Sequence, residues 1–241
     1  MADKSIVFED HGAYATVTLN RTTLDRATQV ELHKAFRESV GRYSAIILTG
    51  AGTTFCTGLD DGEEPEVDHS RQGNTWVDTI EAIRKHPSVV IAAVNGEALG
   101  DGVSLINACD LAIAAEDAQI GLPDITRSAY PETAGPSTQL RILRKHASWM
   151  ILTGRPIDAR TAAKWGLVNV AVPRARVMEE ARAVAENIAK FNPVTVDWTK
   201  KALDDIPAHI SDWTAALEYG RAVTAVVQNR IGKDKVMWKK S

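Results

Sequence analysis

Two glycine turns carry the groups in this chain best suited to chemistry. One is Leu99-Gly100-Asp101-Gly102, which follows the apolar run Val89 to Val94 and opens a helical stretch; the other is Phe55-Cys56-Thr57-Gly58-Leu59-Asp60, after the apolar run Ser44 to Thr49. Backbone N–H groups at the start of a helix have no intrahelical acceptor, and the positive end of the helix dipole lies behind them. Such amides hold an anion, or a carbonyl oxygen that becomes one. The N–H groups of Leu59 and Asp101 are therefore the two candidate oxyanion donors. Aimed at one oxygen, each would stabilise an enolate or a tetrahedral intermediate by roughly 3 kcal/mol. Most glycine turns are plain connections, so the reading depends on a fold that brings these two together.

The elements that must do so alternate between β and α. Val7 to Asn20 reads as a hairpin about His11-Gly12, residues 28–41 as a helix, and Ser44 to Thr49 as a buried strand. Phe55 to Asn74 is polar, acidic and glycine-bearing, which predicts a mobile loop. A helix over 75–85 should stop before His86-Pro87. Strands over 89–94 and 111–115 flank the helix that begins at the Gly100-Asp101-Gly102 turn. This alternation favours an α/β sheet with right-handed crossovers. After Pro131 the pattern turns helical, over 137–146, 158–165 with Asp158 as cap, 174–190, 194–205 and about 209–230. Residues 1–190 are read as the α/β core and 191–241 as a C-terminal helical region.

Composition narrows the function classes. A chain of 241 residues with 44% hydrophobic residues can bury a full core without disulfide staples. A formal net charge of -3 offers no basic field for a phosphate backbone, so nucleic acid is an unexpected partner. Cys56 and Cys109 are the two cysteines and form no CxxC pair, which suits a reducing compartment and gives no metal site. No stretch reaches the ~18 apolar residues of a membrane span, so a cytoplasmic protein without membrane contact is expected.

Three segments bear a resemblance to a known family. AGTTFCTGLD resembles the FxxGxD segment of the enoyl-CoA hydratase/isomerase (crotonase) superfamily, and IAAVNGEALGDGVSLINACDLAIA resembles its AxxGxxxGGGxxLxxxCD segment. LTGRPIDARTAAKWGLVNVAVP is similar to its LTGxxxxAxxAxxxGLVxxVxP segment, in the same order along nearly the whole chain. The resemblance implies a crotonase-like α/β core, a spiral of repeated ββα turns, with a helical C-terminal region used in trimerisation. It also implies an acyl-CoA thioester whose carbonyl sits between the amides of Leu59 and Asp101. The family usually has glycine where this chain has Asp101. Beside the capping or solvent-facing role ordinary for an aspartate at a helix start, a carboxylate next to the oxyanion site has to be considered.

Carried over by position, the two glutamates of the hydratases fall on Ser104 and Asp124. Hydration needs one group to activate water and another to deliver a proton to carbon, so a serine at the first position weakens that chemistry. Glu132, in YPETAG, stands where hydratases generally have glycine; dienoyl-CoA isomerases and 4-chlorobenzoyl-CoA dehalogenase resemble it in carrying a carboxylate there. The catalytic candidates are thus Asp124 and Glu132, whose pKa values would be pushed apart if they faced one cavity. Turn capping is the plain alternative for Asp124, and a favourable place in a helix's first turn for Glu132. Ser104, Tyr130 and His69 are pocket candidates, with Ser128 and Asp68 as neighbours. His86, Trp76 and Trp165 read as packing residues, Asp110 as a residue that orders a turn, and His146 as the end of a helix.

No permanently bound cofactor is expected; coenzyme A would enter as part of the substrate. Arg26, with Arg21 beside it, and the basic ending from Gly232 to Ser241 are the groups suited to its phosphates. The reading that results is an acyl-CoA enzyme that stabilises an enolate and shuttles protons as an isomerase does, assembled as a homotrimer or a dimer of trimers. Two alternatives remain open at this stage: hydrolysis of a carbon-carbon bond in a cyclic β-diketone without CoA, and a non-catalytic trimeric scaffold.

Overall fold

The computed structural model describes residues 4–60 and 75–238. The chain opens with an antiparallel hairpin of β1 (Ile6–Asp10) and β2 (Tyr14–Leu19), as expected. Helix α1 (Arg26–Ser39) begins two residues earlier than its apolar spacing suggests, because Asp25 caps it and accepts the Thr28 N–H at 2.7 Å. Strand β3 (Ala45–Gly50) runs parallel to β2 and leads into β4 (Thr54–Cys56), whose Phe55 and Cys56 the composition assigns to a loop. This reversal needs a glycine: a Cβ on Gly50 would lie 2.1 Å from the Thr54 carbonyl oxygen.

After α2 (Thr75–Arg84) the same unit recurs twice. A long strand, β5 (Val89–Val94), turns into a short one, β6 (Glu97–Leu99), then into α3 (Asp101–Ala108); β7 (Leu111–Ala115) and β8 (Gln119–Gly121) repeat the turn. Asn95 locks successive units together, donating to the carbonyls of Gly50 at 2.9 Å and Gly52 at 3.0 Å.

The expected helix over 137–146 is two helices, α4 (Ala134–Gln139) and α5 (Arg144–Thr153). Between them Ile142 is drawn into the core and the Arg141 guanidinium donates to the Asn107 carbonyl at 3.0 and 3.2 Å, a tertiary contact that interrupts a local pattern. His146 consequently stands in the first turn of α5 rather than at a helix end, and its ring stacks on Trp165 at 4.3 Å. Next come β9 (Ile157–Asp158), α6 (Ala159–Trp165) with Asp158 as its cap, β10 (Val170–Val172), α7 (Val177–Ile188), α8 (Pro193–His209) and α9 (Trp213–Trp238).

The long strands form one sheet in the order β1-β2-β3-β5-β7-β10, the short ones a second in the order β4-β6-β8-β9. This is the repeated ββα arrangement that the resemblance implies. Both faces of the long sheet are covered, so β3 and β5 read as continuous apolar runs, with Ile46, Ile47, Leu48, Val90 and Ile91 fully buried. The short strands β4, β6 and β8 run parallel to one another, and the two glycine turns follow β4 and β6.

Helix α8 is tied to the core by charge. The Lys200 ammonium lies 2.7 Å from Asp110 Oδ2 and donates to the Ser88 carbonyl at 3.2 Å. Asp110, expected only to order a turn, also accepts the Val90 N–H at 2.8 Å, and Arg84 of α2 pairs with both Asp110 and Asp204. Burial lowers the Lys200 pKa, and the Asp110 carboxylate opposes that shift. Among the described residues no helix is long and apolar enough to cross a membrane.

Candidate active site

The two turns meet. Leu24 forms a parallel bridge with Leu59, donating to the Gly58 carbonyl at 2.9 Å and accepting the Asp60 N–H at 3.4 Å. In such a bridge the bonds come from the neighbours of the bridged residue, so the N–H of Leu59 itself points away from Leu24. Gly58 has φ +104°, and a Cβ there would sit 3.6 Å from the Asp101 amide nitrogen. Gly100 donates to the Gly121 carbonyl at 3.0 Å, which fixes the second turn to the edge of β8. The start of α3 presses on the end of β4 so closely that a Cβ on Gly102 would lie 2.1 Å from the Cys56 carbonyl oxygen. Among the described residues neither the Leu59 nor the Asp101 N–H donates a hydrogen bond. The arrangement presents two neighbouring, unengaged amides, suited to one oxygen on which negative charge develops.

The Asp101 residue is half-buried, and its carboxyl is engaged by two side chains. Its Oδ1 accepts from the Trp76 indole at 2.7 Å and from the Ser104 hydroxyl at 2.8 Å, and Ser104 is itself fully buried. Burial raises the Asp101 pKa above the ordinary carboxylate value; the two hydrogen bonds work against that rise, while the charges of Asp124 and Glu132 add to it. Trp76, read from sequence as packing, is therefore a polar contact of the site. No local signal could reveal it, because 25 residues separate the partners. Beneath the turn, burial pushes the Cys56 thiol up to about 12, so it is no thiolate nucleophile at neutral pH.

Asp124 and Glu132 are the two carboxylates felt by Asp101. Asp124 lies in a 3-10 turn, Pro123–Arg127, directly after β8. Its Oδ2 is buried with no hydrogen-bond partner among the described residues, while Oδ1 is 3.8 Å from the Arg127 guanidinium. Glu132 is exposed, in the segment just before Thr133, the N-cap of α4, and so lies outside the helix turn in which a capping role had placed it. That segment is held from α3: Asn107 donates to the hydroxyls of Ser137 at 3.0 Å and Thr138 at 2.9 Å. Both carboxylates act to raise the pKa of Asp101.

Tyr130 is 58% exposed, with its ring against Gly135 and its hydroxyl accepting from Gln139 at 3.4 Å. Ser128 ends the 3-10 turn with φ 59°. His69 and Asp68 lie outside the described residues, as do the side chains of the C-terminal basic ending. Arg26 is exposed at the first position of α1, two residues after the Leu24 that bridges Leu59, which puts it near the same end of the molecule. Arg21 is exposed, 4.0 Å from Asp25.

The model of the family described as enoyl-CoA hydratase/isomerase matches residues 9–235. The chain belongs to that family. It is 33% identical over 219 residues to a probable enoyl-CoA hydratase of Rhizobium meliloti, covering 85% of this chain and 82% of that one. It is 31% identical over 205 residues to a carnitinyl-CoA dehydratase of Citrobacter koseri, covering 80% and 77%. Among solved structures, an enoyl-CoA hydratase from Bacillus anthracis superposes with a TM-score of 0.84 at 30% identity, over 98% of this chain and 96% of that one. Among the described residues no group of three or more His, Cys, Asp or Glu is disposed to hold a metal ion.

Proposed function

We propose that the protein is an enzyme that binds an acyl-CoA thioester, stabilises its enolate between the amides of Leu59 and Asp101, and moves a proton as an enoyl-CoA isomerase does. In this reading Asp124 removes the proton next to the thioester carbonyl or one double bond further on, and Glu132 exchanges protons with solvent. The observation that carries the reading is the junction of the two glycine turns, with amides unengaged among the described residues, together with Asp124, whose Oδ2 is buried and unpartnered and whose charge is felt at Asp101. A buried, unpaired carboxylate oxygen is costly in a folded protein, and a site that offers it a substrate proton accounts for it. Family membership supports the thioester, since the relatives named above carry CoA substrates in their own names.

The test is turnover of a panel of straight-chain 3-enoyl-CoA thioesters, followed as a double-bond shift or as addition of water. Asp124→Asn and Glu132→Gln should each lower turnover by roughly two to four orders of magnitude, with unfolding midpoints little changed. Full turnover in both variants overturns the assignment of roles. Cleavage of a cyclic β-diketone without affinity for CoA overturns the thioester.

We further propose a homotrimer, or a dimer of trimers, joined through the C-terminal helices. Leu203, Trp213 and Leu217 on α8 and α9 are 71%, 78% and 54% exposed in the single chain, more apolar surface than a free helix pair ordinarily shows to water. A monomeric mass by light scattering would exclude it.

A further inference from the structure

We propose that the carboxyl of Asp101, and not its amide alone, takes part in the reaction, as the acid that delivers a proton to carbon. The inference rests on the enolate reading above and adds a third group to the same site. Both hydrogen bonds that Asp101 receives from the described residues fall on Oδ1, from Trp76 at 2.7 Å and Ser104 at 2.8 Å. That fixes the plane of the carboxyl and leaves Oδ2 without a donor. The residue that supplies one of the two amides for the substrate oxygen therefore also holds an oriented carboxyl beside it. A carboxyl that merely capped α3 would bond to the backbone of its own helix; the bonds this one receives from the described residues come from two side chains, Trp76 and Ser104.

The surroundings shift Asp101 toward its acid form. The titratable groups that face it are Cys56 at the end of β4, Asp124 after β8 and Glu132 before α4, with Arg127 beside Asp124. Burial and the two carboxylates raise its pKa. Proton transfer at carbon requires one group to give a proton and another to take one, and Asp101 and Asp124 are placed here in those two roles.

The step balances without a co-reactant. Asp124 takes the proton from carbon, breaking one C–H bond and sending that electron pair into the enolate. The enolate carbon takes the proton of Asp101, forming one C–H bond and leaving Asp101 as a carboxylate. The proton now on Asp124 passes to solvent through exposed Glu132, and Asp101 is reprotonated from the same source, so no net proton is consumed.

The test uses the full chain and 3-butenoyl-CoA with its longer straight-chain homologues. Asp101→Asn keeps the Oδ1 acceptor for Trp76 and Ser104 and removes only the proton. It should lower turnover about 100-fold or more while raising the unfolding midpoint at neutral pH, because a carboxyl that burial penalises has gone. Wild-type-like turnover in Asp101→Asn overturns the inference and leaves the enolate reading standing; so does a fall in activity matched by an equal fall in stability, the mark of a purely structural role. A wild-type chain that neither turns over nor binds any of these thioesters overturns the enolate reading and this inference with it. A second readout needs no substrate. The indole N–H resonance of Trp76, assigned with Trp76→Phe, should shift with the titration of Asp101 above the ordinary carboxylate value of about 3.9, and this shift should vanish in Asp101→Asn. A Trp76 resonance that does not move over that range overturns the assignment.

Discussion

Ser104 donates its hydroxyl to the carboxyl of Asp101 at 2.8 Å, across a single turn of α3. The serine is thus a residue that orients a carboxyl placed one turn earlier in the same helix. Ser104→Ala should raise the Asp101 pKa further, because one of the two bonds that favour its charged form is lost. A titration of the Trp76 indole resonance would register the rise. The midpoint of urea unfolding should fall by an amount equivalent to about 1 kcal/mol.

The contact between the α3 start and β4 predicts opposite outcomes for two glycines. Gly102→Ala would force a methyl group to within 2.1 Å of the Cys56 carbonyl oxygen, and should cost roughly 2–3 kcal/mol of stability and most of the activity. Gly220→Ala, in the middle of α9 with nothing near its Cβ, should instead stabilise by about 0.5–1 kcal/mol. Chemical denaturation of the two variants at equal protein concentration checks both signs.

His86 predicts the pH dependence of stability. Buried between α1 and the sheet, it accepts the Ser88 N–H on Nδ1 at 3.1 Å and meets Ser39 Oγ through Nε2 at 3.2 Å, a neutral-ring arrangement. Burial, with Lys200 adding to it, lowers its pKa to about 4. Between that value and the ordinary 6.5 the unfolded chain takes up a proton that the folded chain refuses. Stability from this group is therefore complete above about pH 6.5 and lost as pH falls toward about 4, by roughly 3 kcal/mol. Unfolding free energies measured across that window should show the slope, and His86→Gln should flatten it.

Lys200 and Asp110 join the C-terminal helices to the sheet. Removing one partner leaves the other charge buried, so Lys200→Met should destabilise by about 3 kcal/mol or more. Adding Asp110→Asn to that variant should recover part of the loss, since the orphaned charge goes with it. A double-mutant cycle by urea unfolding measures the coupling; strictly additive losses would show that the pair does not act as a unit.

Much of the fold was legible in the chain. The hairpin, β3, β5, β7, α1, α2 and the Asp158 cap follow from apolar spacing and local capping chemistry, which act over a few residues. The short strands β4, β6 and β8 escaped notice because three residues carry no periodicity. The division of 137–146 escaped because a contact between Arg141 and Asn107, distant in sequence, interrupts a continuous helical pattern.

The same distinction runs through the site. Residue types and spacing by themselves determined the two glycine turns and offered the amides of Leu59 and Asp101 as candidate donors, because glycine's conformational freedom and the start of a helix are local properties; the family was legible in the resemblance of three segments. Only the tertiary structure decided that the turns touch and that Trp76 reaches Asp101. It likewise decided that the raised carboxyl is Asp101, whose environment is made by α2, by Ser104 on its own helix, and by the segments after β8 and before α4. A pKa depends on burial and on charges brought in from other parts of the chain, and neither exists until the chain has folded.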